Sequence, residues 1–187
     1  MRKLNSINGS GVVDGREPLK GSCMEEETVP VLLTVNRESH HLQLLPRETL
    51  ADVLRNRLGL IGTKLMCDHG ECGSCTVLVD GKPMLSCLAL AVEFEGKDIV
   101  TIEGLSDPVT GNLHPIQKAF VDLSGMQCGM CTPGIILTAK ALLDNNPTPS
   151  EDDAREALAG NICRCGNYKR ITQCVLAAAD MMKGTSK

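Results

Sequence analysis

From Val31 the apolar positions alternate. Val31, Leu33 and Val35 share one face, and after a polar turn Leu42 and Leu44 resume the pattern, as expected of two strands joined in a hairpin. Thr49 and Asp52 then precede and overlap Leu50, Val53, Leu54 and Leu58 at helical spacing, with Gly59 as a stop, so a capped helix is expected to pack across the hairpin. Residues 76–79, an Asp80-Gly81 turn, a segment at residues 84–88 and a last strand near residues 99–102 complete a small mixed sheet. After Asp107-Pro108 the period becomes helical. Ile116, Ala119, Phe120 and Leu123 form one stripe; Ile135, Ala139 and Leu142 a second; Ala154, Ala157 and Leu158 a third; Ile171, Cys174, Val175, Ala178 and Met182 a fourth. Four short helices should bundle, the third capped by Ser150 with Asp153 after a turn-rich link at residues 145–149. Residues 1–29, with Gly, Ser, Asn and the Glu25-Glu26-Glu27 run, have no periodicity and read as a flexible arm. The chain is therefore read as α+β: an arm (1–29), a sheet domain (30–106) and an all-α four-helix domain (107–187).

Composition narrows the chemistry. A formal charge of −4 leaves no positive surplus for a phosphate backbone, which excludes nucleic acid as an expected partner. Two Phe, one Tyr and no Trp make aromatic-lined pockets and base stacking poor expectations. No stretch reaches the roughly 18–20 apolar residues of a membrane span. Met1-Arg2-Lys3 is basic, but polar, Gly-rich residues follow instead of an apolar export signal, so a cytoplasmic protein is expected. Ten cysteines are the outlying feature, and in a reducing compartment closely spaced thiols bind metal more readily than each other.

Cys67, Cys72 and Cys75 stand as C-x4-C-x2-C, followed by Cys87; Cys128 and Cys131 as C-x2-C, followed by Cys163 and Cys165 as C-x-C. Two sets of four thiolates fit two four-coordinate sulfur sites, of zinc or of iron and sulfide. The first set has three ligands on one loop and a distant fourth, the plant-type [2Fe-2S] spacing, with Gly70, Gly73 and Ser74 small enough for the backbone to approach an anionic cluster. Cys67-Asp68-His69 resembles the first half of a Rieske pattern, but Cys75 stands where its second half would need His, so His69 is read as an exposed loop residue. The second set alone leaves zinc and an iron–sulfur cluster open. Thr132 as N-cap with Pro133 at the first helical position would put Cys128 and Cys131 at a positive helix end, and an antiparallel helix pair would bring Cys163 and Cys165 to them. Cys174 lies on an apolar stripe and is read as a buried structural thiol, Cys23 as a free thiol on the arm, and His114 before Pro115 as structural.

Gly62-Thr63-Lys64 leading into Cys67-Asp68-His69-Gly70-Glu71-Cys72-Gly73-Ser74-Cys75-Thr76-Val77, then Gln127-Cys128-Gly129-Met130-Cys131-Thr132-Pro133-Gly134 and Gly160-Asn161-Ile162-Cys163-Arg164-Cys165-Gly166-Asn167-Tyr168, resemble the iron–sulfur subunit of the molybdenum hydroxylases, the xanthine dehydrogenase family. The likeness runs from about Val31 to Asp180. It implies a plant-type ferredoxin-like β-grasp domain followed by a four-helix domain, each holding one [2Fe-2S] cluster on the two sets of four cysteines. It also implies a large partner subunit with the molybdopterin cofactor, close to the helical-domain cluster, with Gln127 near the pterin edge and Cys165 the ligand nearest it. A medium FAD-binding subunit, or another acceptor, would take electrons from the first cluster. Met66 replaces the family's usual Gly before the first ligand, and Gly166-Asn167-Tyr168 its commoner Thr-Gly-Tyr. The implied role is single-electron transfer inside an oxidoreductase whose chemistry occurs on another chain, and this chain shows no capped nucleophile or phosphate loop of its own. A stand-alone two-cluster ferredoxin and a zinc-binding structural module are the alternatives.

Overall fold

A computed structural model describes residues 27–184; most of the expected arm, and Cys23 with it, lie outside the described residues. Strands β1 (Val29–Val35) and β2 (Glu38–Leu44) pair antiparallel from Val35 opposite Glu38 to Val29 opposite Leu44. Their two-residue turn, Asn36-Arg37, has both φ angles positive, the geometry whose twist matches the flanking strands. Helix α1 (Leu50–Asp52) opens with a complete capping box: Thr49 Oγ1 accepts from Asp52 N at 3.1 Å and the Asp52 carboxylate from Thr49 N at 3.4 Å. The expected helix then departs from regular geometry. Val53–Arg57 form a wider π-helical turn, closed by the Leu58 N–H on Val53 O, while Leu50, Val53 and Leu54 stay buried and Arg55 turns aside to donate to the carbonyls of Ile61 and Thr63.

Strands β3 (Thr76–Val79), β4 (Lys82–Leu85) and β5 (Asp98–Val100) finish a five-stranded sheet in the order β2-β1-β5-β3-β4, with β1 and β5 parallel and the other pairs antiparallel. Two expected strands move. The one read at residues 84–88 is at Lys82–Leu85, because Pro83 is tolerated on an edge strand and the chain must turn inward at Ser86 to carry Cys87 to its loop. The strand read at residues 99–102 ends at Val100, and Ile102–Leu105 coil into a short 3-10 turn. Leu33, Val35, Leu44, Leu50, Leu54, Val77 and Ile99 build the core of this layer.

The four helices form as the stripes require: α2 (Pro115–Asp122), α3 (Thr132–Asn145), α4 (Glu151–Ala157) and α5 (Tyr168–Gly184), around Phe120, Ile135, Leu143, Ile171 and Val175. Ser150 and Asp153 cap α4, and His114 caps α2, its Nδ1 accepting from Ile116 N at 3.3 Å. Cys131, not Thr132, is the N-cap of α3, and no side chain caps it; Thr132 is inside the helix and buried. Helix α3 lies on the sheet, where Leu137 and Ala141 bury Leu78 of β3. That contact sets the two cysteine loops side by side.

Candidate metal centres

The first loop leaves α1 through Gly59 and curls before β3. Its Asp68, Gly70 and Gly73 all have positive φ, so consecutive backbone N–H groups turn inward. The N–H groups of His69 and Glu71 donate to Cys67 Sγ and hold that thiol down to about 6, a contribution joined by the Cys72 thiol and backbone. His69 itself is exposed, so the site uses its amide. Burial pushes the Cys87 thiol up to about 11, helped by Cys75 beside it and opposed by the Gly70 N–H. The thiols thus meet as Cys67 with Cys72 and Cys75 with Cys87, the two pairs linked by the field of Cys67 on Cys87. Cys72, Cys75 and Cys87 are buried; Cys67 is half-buried. Buried beside them, Ser74 Oγ finds no partner among the described residues.

The second set has the same pattern. The Met130 N–H and then the Cys165 thiol hold the Cys128 thiol below its ordinary value. Burial pushes Cys131 up to about 12, with Cys163 pressed against it. Cys128 pairs with Cys165, and both are exposed; Cys131 pairs with Cys163, and both are buried. Near these cysteines in sequence, Met126, Gln127, Met130, Ile162 and Tyr168 are all exposed. The loops carrying the pairs are tied together by Asn167 Nδ2, which donates to Ser124 O at 3.4 Å, and by Arg170, which donates to Leu123 O at 3.3 Å; within the second of them Cys163 N donates to Tyr168 Oη at 2.8 Å. Cys174 is fully buried against Phe120 and Gly125 and apart from both sets.

All eight cysteines predicted from spacing therefore gather, in two pairs of pairs. Among the described residues no three His, Cys, Asp or Glu side chains gather on a single point as one metal ion would need. The residues missed by sequence reasoning are those joining the sets. Ile162 N donates to Cys72 O at 2.9 Å, and buried Asn161 Nδ2 to Gly73 O at 3.0 Å. Asn161 after Gly160 reads locally as a helix-end turn, and nothing nearby in sequence points to a partner 88 positions away.

Residues 33–99 match the 2Fe-2S iron-sulfur cluster binding domain and residues 101–176 the [2Fe-2S] binding domain. The chain is thus a protein with two [2Fe-2S]-binding domains. It is 44% identical over 172 residues to the aldehyde oxidoreductase iron-sulfur-binding subunit PaoA of Escherichia coli K12, covering 84% of this chain and 74% of that one. It is 45% identical over 152 residues to the nicotine 6-hydroxylase small subunit of Paenarthrobacter nicotinovorans, covering 81% and 90%. A chain of quinoline 2-oxidoreductase from Pseudomonas putida 86 superposes with a TM-score of 0.80 at 42% identity, covering 86% of this chain and 99% of that one. The chain belongs to the iron–sulfur subunits of the molybdenum hydroxylase family, the electron-transfer subunits of multi-subunit oxidoreductases. No helix among the described residues is long and apolar enough to cross a membrane.

Proposed function

We propose that Cys67, Cys72, Cys75 and Cys87 hold one [2Fe-2S] cluster and Cys128, Cys131, Cys163 and Cys165 the other, and that the protein passes single electrons between them. The observation that carries this is the pairing of thiols. A two-iron cluster takes two thiolates on each iron, whereas zinc takes four around one point. Cys67 with Cys72 and Cys75 with Cys87 fit the two irons of one cluster, as Cys128 with Cys165 and Cys131 with Cys163 fit those of the other. The amide donors on Cys67, Cys87 and Cys128 and the buried Ser74 hydroxyl are placed to hydrogen-bond anionic sulfur. When bound, each cluster supplies a one-electron couple; the chain contributes ligands, N–H donors and burial, which set the two potentials.

The exposed Cys128–Cys165 pair is the entry side. The exposed Met126, Met130, Ile162 and Tyr168, near these cysteines in sequence, would offer apolar contacts to a large molybdopterin-binding subunit, and Gln127 would present amide donors and an acceptor to a pterin edge. Electrons then cross from the Cys163 side to Cys72 over the Ile162–Cys72 hydrogen bond, and leave near half-buried Cys67 to an FAD-binding subunit or another acceptor. The protein works in the cytoplasm. Elemental analysis of the native complex tests the reading: about four irons and four sulfides per copy of this chain, with molybdenum in the complex, are expected. Cys128→Ser should bleach one cluster and spare the other. Two zincs without iron, or both clusters retained in Cys128→Ser, would overturn the assignment.

A further inference from the structure

Two neighbouring carbonyls of the first cysteine loop are gripped by two neighbouring residues of the second. Ile162 holds Cys72 O through its backbone N–H, and Asn161 holds Gly73 O through its side-chain amide, at 2.9 and 3.0 Å. The gripped peptides lie between Cys72 and Cys75; the gripping residues immediately precede Cys163. Gly73 O also accepts Thr76 Oγ1 at 2.7 Å and Thr76 N at 3.3 Å, so the carbonyl is the common anchor of the loop, β3 and the helical domain. Asn161 is 4% exposed, and its own N–H is fixed on Leu158 O at the end of α4. A donor buried that deeply cannot exchange its partner for water without a desolvation penalty. The surroundings allow no slack: a Cβ on Gly134 of α3 would collide with Gly73 O, and one on Gly73, whose φ is +70°, would collide with Gly160 O.

We infer that Asn161 is a positioning residue for electron transfer between the clusters: by clamping Gly73 O it fixes the Cys72–Ile162 hydrogen bond, the non-covalent link between a ligand of one set and the neighbour of a ligand in the other. This rests on the ligand assignment proposed above. The step it serves moves one electron from the reduced cluster to the oxidised one, with no bond made or broken and no proton transferred. The α3–β3 packing sets the loops side by side; the second bond, one residue away on each side of the contact, fixes their local register between Cys72 and Cys163. Asparagine suits the position because it donates without charge, whereas a carboxylate there would face a carbonyl oxygen already serving as acceptor.

The experiment uses the full chain purified with its clusters. Asn161→Asp keeps the shape and removes the donor; Asn161→Ala removes the donor without adding charge. In the fully reduced protein the spin–spin splitting of the two clusters' electron paramagnetic resonance signals should collapse toward two independent signals. In the half-reduced protein electron exchange between the clusters should slow several-fold, with the iron content unchanged. Splitting and exchange equal to those of the unaltered chain would overturn the inference. Loss of iron from both variants would overturn it too, because Asn161 would then serve the integrity of a loop and not the separation of the clusters. Iron content of the unaltered chain tests the ligand assignment separately: a shortfall from about four atoms there fails the parent reading before Asn161 is examined.

Discussion

Single residues do work here that their type does not announce. His114 caps α2 with a neutral imidazole: Nδ1 must lack a proton to accept the Ile116 N–H. Burial holds it below its ordinary value of 6.5, the Lys140 ammonium adds to the depression, and Asp144 opposes it. The unfolded chain therefore takes up the proton first as acid is added. Stability from this group is complete above pH 6.5 and is lost as pH falls from there toward the folded value. His114→Asn, which keeps a capping acceptor, should flatten that dependence in urea titrations run on either side of pH 6.5, and His114→Ala should cost about 1 kcal/mol at neutral pH. An unaltered slope in His114→Asn would assign the acid sensitivity to another group. At this scale the gathering of eight thiols in two sets was legible from the C-x4-C-x2-C, C-x2-C and C-x-C runs, and His114 was legible as structural because Pro115 marks a helix start. Asn161 was not, since its role depends on a carbonyl brought near only by folding.

Among the elements, α3 is the one that both domains need. It presents Leu137 and Ala141 to Leu78 of β3, closes on Gly73 through Gly134, and carries Cys131 at its first turn. Gly134 is the test. In an exposed helix Gly→Ala gains up to about 1 kcal/mol, but here the new methyl would strike the Gly73 carbonyl oxygen, and forced overpacking costs about 1–3 kcal/mol. Gly134→Ala should therefore lower the denaturation midpoint. Gly160→Ala, whose Cβ would meet nothing within 4 Å, should stay within about 0.5 kcal/mol of the parent. Equal effects would mean that the helix can back away from the sheet at no cost. The sequence placed all four helices because each buries a stripe at a 3.6-residue period. It misplaced the ends of β4 and β5, and missed the π turn after α1, because those are set by where Cys87 and Ile61 must go and not by apolar period.

For the whole molecule, the likeness to small subunits of other oxidoreductases was legible from three short motifs, while the way the two halves meet was not. The boundary drawn at residue 107 separates two kinds of periodicity, yet Leu78, Val100, Leu105, Leu137 and Ala141 pack in one cluster across it. A chain joined in that way carries its two cysteine sets as fixed neighbours, and the asymmetry in their burial then has a consequence for manufacture. On the proposed ligand set, the pair reachable from solvent, Cys128 and Cys165, is also the pair a large partner would cover. A partner docked there as proposed would close the outward side of the second site, and the cluster of that site would have to be loaded first. Labelled iron supplied in a pulse should enter newly made free subunit and be excluded from complexes already assembled; label appearing directly in the old complexes would show that this side reopens. On the proposed docking, load first and close afterwards is the order that the two outward-facing sulfurs of the second site would impose.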